Sequence, residues 1–373
     1  MTNPFLTYGY SGAEYFCDRV EETDRLTTLL TNGNHVALMS PRRMGKTGLL
    51  NHCFAQEKIS TSYYTFIVDI YSTKSLAEFT YVLGKSILKV LKSRERHAWE
   101  KFLQIVGSFR TGITFDEFGK PSWNLEIGDI KSPMVTLDEI FDYLSSADKP
   151  CLVAIDEFQS IVNYEEKNVE ATLRTYIQQC TNAWFVFSGS KRTMMGEIFS
   201  SPARPFYQSA TTMSLKSVPL PAYADFIMNH FQRAGKSIER SVIENMYERF
   251  DGTTWYVQKV ANELFASTEV GETCGNEMLE PAISRIVNEN EDTYNETLYR
   301  LTAKQKAVLI AIAKSDPDAQ VTSSAFLKAN RLPSASSVQK ALAALIDKEI
   351  VTCSLGKYLV YDYFFRIWLT KNV

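Results

Sequence analysis

Paired cysteine spacings, long apolar runs and an excess of positive charge are all missing from this chain, and each absence removes a class of protein. The six cysteines, Cys17, Cys53, Cys151, Cys180, Cys274 and Cys353, stand singly, several of them inside apolar periodic segments. They read as reduced core thiols, not as a disulfide framework or a zinc site. No apolar run approaches the roughly eighteen residues that a membrane span requires. The stretch Met1 to Leu6 also lacks the basic flank and apolar core of a signal peptide, so a cytoplasmic protein without membrane contact is expected. Forty Lys and Arg against 43 Asp and Glu leave a net charge of −3, which does not demand a polyanionic partner. The length suggests two or three domains.

What the chain does have is a turn suited to phosphate. His35 to Met39 is a short apolar run, and Gly48-Leu49-Leu50 opens a helical pattern that continues through Phe54. Between them lies Ser40-Pro41-Arg42-Arg43-Met44-Gly45-Lys46-Thr47. At the start of a helix the unpaired amides and the macrodipole favour an anion, and Gly45 lets the backbone approach it. Lys46 would place a charge on the β- and γ-phosphates, and the Thr47 hydroxyl would face Mg2+. The usual pattern begins with glycine, whereas Ser40 followed by Pro41 stands here.

Cys151 to Ile155 is a continuous apolar run ending in Asp156 and Glu157, as a strand buried on both faces of a parallel sheet requires. At that strand's carboxyl end Asp156 could hold the metal shell while Glu157 polarises a water. The plainer alternative is that the two acids cap the next helix.

Other segments extend the same architecture. A helix around Val20, Leu26, Leu29 and Leu30 precedes the first strand, and Tyr63 to Ile70 reads as a second strand ending in Asp69. A capped helix comes next, with Leu76, Phe79, Leu83 and Ile87 inward. From His97 to Pro133, glycines punctuate short alternating runs, and a β-hairpin insertion burying Phe115, Phe118, Trp123 and Ile127 is expected. Val169 to Gln179 reads as a helix and Trp184 to Ser188 as a buried strand, with Ser188 or Ser190 able to touch phosphate or its water, or simply to form a turn. A strand near Met213 to Val218 completes a doubly wound, parallel, five-stranded α/β core of the P-loop NTPase type.

Ser-Pro-Arg-Arg-x-Gly-Lys-Thr, then Val-Asp-Ile-Tyr, Ile-Asp-Glu-Phe-Gln and Phe-Ser-Gly-Ser together resemble the archaeal-type ATPase family, in the AAA+/STAND branch of the P-loop NTPases. The resemblance covers nearly the whole chain. It implies ATP or ADP with Mg2+, held by the loop Ser40, Pro41, Arg42, Arg43, Met44, Gly45, Lys46, Thr47 and Gly48. It also implies Asp156 and Thr47 for the metal, Glu157 for the water, Ser188 or Ser190 at the sensor position, and the base against Phe16 to Arg19. Many relatives carry Pro-Leu-Tyr-Gly-Arg where this chain reads Pro205-Phe206-Tyr207-Gln208-Ser209. Arg204 becomes the candidate for completing charge neutralisation, in cis or from a neighbouring subunit of a homo-oligomer; local pairing is the alternative.

The expected division is 1–220 for the ATPase core, 221–300 for an α-helical lid and 301–373 for a winged helix. Helix faces in the lid come from Tyr223, Phe226, Ile227, His230 and Phe231, and from Ile243, Met246, Tyr247 and Phe250. Family members often open the next helix with Gly-x-Pro, but Asp251-Gly252-Thr253-Thr254 lacks that proline. Residues 301–373 read as three helices and a hairpin, with Ser336, Gln339, Lys340 and the wing's Lys357 placed to face DNA. Ten Lys and Arg against five acids there is a mild excess for a DNA-binding face. A regulatory or protein-docking winged helix is therefore favoured over DNA contact. The aromatic tail from Tyr361 to Trp368 is expected to pack the module on its neighbours, a partner groove being the sharper alternative. Three functions remain in view: an ATP-hydrolysing switch, an ATP-regulated DNA-binding protein, and a nucleotide-locked scaffold with negligible turnover.

Overall fold

The chain is described by a computed structural model covering residues 2–94, 96–107, 113–115, 121–123, 132–354 and 356–372. It divides into two compact units, Tyr8–Val218 and a second made of Met1–Thr7 with Pro219–Val373.

In the first unit five strands form one parallel sheet: β1 (Val36–Met39), β2 (Tyr64–Asp69), β3 (Cys151–Asp156), β4 (Ala183–Gly189) and β5 (Thr211–Ser214). Their order is β2-β3-β4-β1-β5. Because side chains alternate along a strand, Val36 and Leu38 enter one core and Ala37 and Met39 the other. Helices α1 (Val20–Thr31) and α2 (Lys46–Ala55) cover the first face with Leu26, Leu30, Leu49 and Leu50. The opposite face is covered by the helices Leu76–Arg94, Pro133–Ser146, Val169–Gln179 and Arg192–Ser200. Burial on both sides is why β3 is apolar from Cys151 to Ile155, every one of these residues lying inside.

Two expectations shift. The last strand ends at Ser214, short of Val218, because it is a half-exposed edge strand; Leu215 and Val218 supplied the apolar signal and are buried in the segment beyond it. The insertion starts as a helix, Arg96–Ile105, since Ala98, Phe102 and Val106 recur at helical spacing and are buried. An antiparallel hairpin does come after it, Ile113–Phe115 pairing with Pro121–Trp123. The side chains of Phe115 and Trp123, and all of Phe118 and Ile127, lie outside the described residues.

The second unit begins with the chain's own start. Phe5 is fully buried among Phe226, Phe231, Phe265 and His230, with ring centroids 5.6 to 6.2 Å away. The Asn3 amide donates to the Asn262 carbonyl and the Asn262 amide to the Phe5 carbonyl, each at 2.8 Å. These contacts attach the first residues to the helices Leu220–Arg233 and Thr254–Ser267, whereas the sequence had grouped them with the sheet.

Further on, Ala303–Lys314, Ser324–Ala329 and Ala335–Asp347 precede the hairpin Val351–Ser354 with Lys357–Val360, the order of a winged helix. Thr302 and Gln305 close a capping box at its first helix. The aromatic tail is a helix, Tyr363–Asn372, in which Phe364, Phe365 and Trp368 are buried and Phe365 stacks on Tyr294 at 5.0 Å. No helix among the described residues is long and apolar enough to cross a membrane.

Phe5→Ala should lower the stability of the second unit by about 3–5 kcal/mol, the cost of emptying a packed aromatic site. A urea midpoint equal to that of the unaltered chain would show the N-terminal segment to be dispensable.

Candidate nucleotide site

The loop after β1 is shaped by its backbone. Ser40 is fully buried, and its amide donates to the Gly189 carbonyl at 3.3 Å, continuing the sheet for one residue. Among residues 40–47 only Arg43 (φ 69°) and Gly45 (φ 90°) have positive φ. Glycine is therefore needed at 45, just before α2, while the first position keeps an ordinary conformation that serine adopts. Past Gly45 the first amides of α2 have no intrahelical acceptor.

Lys46 folds back over the loop. Its ammonium donates to the carbonyls of Ser40 at 3.1 Å and Pro41 at 3.3 Å, and the side chain is buried. Burial lowers its pKa, an effect opposed by the nearby carboxylates of Glu157 and Asp156 and reinforced by Arg42. The Thr47 hydroxyl donates to Asp156 Oδ2 at 2.7 Å, and Asp156 Oδ1 accepts the Glu157 amide at 3.0 Å. Asp156 is thus fixed by both oxygens.

Glu157 has a left-handed backbone, φ 55°. It leads into a short 3-10 turn, Phe158–Asn163, rather than an α-helix for the acids to cap. The carboxylate accepts from Gln159 Nε2 at 2.5 Å and from Ser190 Oγ at 2.6 Å. Ser190 reaches it because β4 lies between β1 and β3, so its end sits between the phosphate loop and the acidic pair. Ser188, two residues earlier, is fully buried and its hydroxyl has no hydrogen-bond partner among the described residues. Asp69 ends β2 in register with Asp156, and its pKa is raised by burial and by the charges of Asp156 and Glu157. Next to it, Tyr71 lies under the Arg42 guanidinium at 5.3 Å.

Phe16 stacks on His52 of α2, centroids 4.3 Å apart, with Tyr10 edge-on to both rings and its hydroxyl 2.9 Å from His52 Nδ1. Arg19 is nearly inaccessible. It donates to Glu22 at 2.7 Å, to the Lys216 carbonyl at 2.6 Å and to the Met44 carbonyl at 3.2 Å, tying α1 to the loop. Arg204 is held by Glu170 of the helix Val169–Gln179, away from the hydrogen bonds of the Lys46 cluster.

Of the sequence candidates, the fold joins Lys46, Thr47, Asp156 and Glu157 in one network, and it commits Arg19 and Arg204 to internal partners. Gln159, His52 and Tyr10 were missed. Gln159 stood in view two residues after Glu157, but a glutamine in a turn carries no signal of its direction. His52 gave none, as an isolated histidine on an amphipathic helix.

The hydroxyl of Thr47 and the carboxylate of Asp156 are hard oxygen donors meeting at a helix N-terminus. That pair suits Mg2+, which takes one or two protein oxygens and completes its shell with phosphate and water. Among the described residues no three His, Cys, Asp or Glu side chains gather as a separate metal site.

A parallel sheet with its central strand inserted beside a phosphate loop, and a chain that goes on to helices and a winged helix, define a P-loop NTPase. Residues 16–260 match the family described as "ATPase domain predominantly from Archaea", and residues 292–371 match a winged helix domain family. The chain belongs to this archaeal-type ATPase family. In fold it is similar to a Walker-type ATPase of Pyrococcus abyssi, with 16% identity, a TM-score of 0.65, and 98% of this chain and 99% of that one covered. It is also similar to the ORC2 protein of Aeropyrum pernix, solved in complexes with ADPNP and ADP, with 14% identity, a TM-score of 0.59, and 100% and 97% covered. No curated protein matches the sequence.

If Arg19 serves the fold first, Arg19→Ala lowers stability by about 1.5–3 kcal/mol without any nucleotide present, the range for charge-assisted hydrogen bonds. Thermal unfolding in nucleotide-free buffer reads this directly; a loss seen only with ATP present would assign Arg19 to the ligand.

Proposed function

We propose that this ATPase binds ATP or ADP with Mg2+ and hydrolyses ATP as a nucleotide-dependent conformational switch. The observation that carries the reading is the convergence of Lys46, Thr47, Asp156 and Glu157 in one hydrogen-bonded and charged group at the start of α2. Amides of the loop and Lys46 would hold the β- and γ-phosphates, with Lys46 giving up its carbonyl partners for phosphate oxygens. Thr47 and Asp156 would hold Mg2+, which supplies charge neutralisation on the phosphates when bound. Glu157 would accept the proton of a water as its oxygen attacks the γ-phosphorus. The bond to the β-phosphate oxygen breaks, and ADP and inorganic phosphate leave. Phe16, with Tyr10 and His52, offers aromatic surface for the base, and Arg19 secures the segment that bears it. Arg204 is assigned no step in the single chain; its pairing with Glu170 would have to open for it to serve phosphate in cis or in a neighbouring copy.

The winged helix is read as a regulatory or protein-docking module. Ser336, Gln339 and Lys340 lie on the helix Ala335–Asp347, but Lys357 on the wing is paired with Asp318, which lessens the positive face DNA would need. An ATP-regulated DNA-binding protein is the second reading, favoured if salt-dependent DNA affinity survives Lys46→Ala. A scaffold with negligible turnover is the third.

Saturating ATP with Mg2+, at about 100 times Kd, should stabilise the protein by about 2.7 kcal/mol, and Lys46→Ala should remove most of that gain in a thermal-shift experiment. Glu157→Gln is expected to keep ATP binding and lose most phosphate release; equal release by both forms would sink the assignment of the base. Light scattering with and without ATP tests assembly: a mass increase would bring Arg204 of a neighbouring copy into question, and constant mass supports a monomeric switch.

A further inference from the structure

Two hydrogen bonds at the site serve neither phosphate nor metal, and both end on one atom. Glu157 Oε2 accepts from Gln159 Nε2 and from Ser190 Oγ, while Oε1 has no hydrogen-bond partner among the described residues. The donors arrive from different parts of the chain, Gln159 from the turn after β3 and Ser190 from the end of β4.

Gln159 is fixed by packing rather than by a full set of hydrogen bonds. It is 3% exposed, and its carboxamide oxygen is buried without a partner among the described residues. That oxygen lies against Gly189, where a Cβ would come within 2.5 Å of it and would also collide with Met195 Sδ. Glycine at 189 therefore makes the space the amide occupies. Phe158, fully buried against Phe187, Phe199 and Phe206, anchors the turn from below. A buried amide with one orphaned atom is costly, and what it does here is present its N–H to Glu157.

The competing partner for Glu157 is Lys46. The two charges attract, and an ion pair between them would occupy both groups. Two charge-assisted bonds on one oxygen hold the carboxylate against that attraction and leave the other oxygen without a partner among the described residues.

We propose that Gln159 and Ser190 are positioning residues that act through Glu157, holding Oε2 so that Oε1 alone is offered to the attacking water. The proposal rests on the reading of Glu157 as the base. It assigns Ser190 to the carboxylate, whereas a sensor role would put its hydroxyl on the phosphate.

The test measures ATP hydrolysis and binding of a fluorescent ATP analogue by the full chain. Gln159→Leu and Ser190→Ala are each made in the unaltered background and in Glu157→Gln. In the unaltered background each should lower kcat about tenfold, the worth of one hydrogen bond to a charged group, with KM and analogue affinity changed less than about twofold. In the Glu157→Gln background neither should change the residual rate, because the group they act through is gone. Unchanged kcat in both single variants, with Glu157→Gln inactive, would overturn the positioning role and leave the base assignment standing. So would an equal loss in both backgrounds, or a raised KM with kcat intact, since either places the two side chains on the substrate. If Glu157→Gln hydrolyses as fast as the unaltered chain, the base reading itself fails. Ser190 is only partly buried, so Ser190→Ala carries the test if Gln159→Leu does not fold.

Discussion

Every group at the site depends on one constraint: the strands of the sheet are parallel, so all their carboxyl ends lie along one edge. β1 delivers the phosphate loop there, β3 delivers Asp156 and Glu157, and β4, lodged between them, delivers Gly189 and Ser190. A parallel sheet is stable only when both faces are covered, and the two layers of helices do this with separate cores drawn from alternate residues of the same strands. The carboxyl edge is thus a place where the sheet can present charged groups without burying them in either core.

At that edge the charges are balanced before any phosphate arrives. Lys46 sits over the carbonyls of Ser40 and Pro41 near two carboxylates, and Asp156 is held by the Thr47 hydroxyl and a backbone amide. Desolvation penalises the ammonium, and the neighbouring acids recover part of that penalty. A polyphosphate would offer Lys46 stronger acceptors than these carbonyls. The bonds on Glu157 are different in kind: their donors, Gln159 and Ser190, are neutral and end on a carboxylate rather than on the carbonyls of the loop.

The second unit is organised by aromatic packing. Phe5 joins the start of the chain to Phe226, Phe231 and Phe265, and the tail helix stacks Phe365 on Tyr294. Tyr363 reaches Asp251 through its hydroxyl at 2.6 Å, in the turn just before the helix Thr254–Ser267. The tail that closes the winged helix therefore ties it to the helices before it.

Local sequence was enough for most kinds of element, the helix Arg96–Ile105 and the 3-10 turn Phe158–Asn163 excepted, and for the place of the loop between strand and helix. Continuous apolar runs specify strands covered on both faces, and Gly45-Lys46-Thr47 between a strand and a helix needs only local geometry to form an anion site. The family resemblance and the winged-helix order were readable for the same reason, since helical periodicity and turn residues are local signals. Partnership was not readable, because it depends on which strand lies beside which. Only the placement of β4 between β1 and β3 turns Ser190 toward Glu157 and buries Ser188, two serines that the sequence could not tell apart. Likewise Arg204 stood open between charge neutralisation and local pairing until the fold set it against Glu170, and Met1–Thr7 looked like part of the sheet unit until Phe5 found its pocket. Contacts between residues far apart in sequence are set by packing, and a single chain of letters does not record packing.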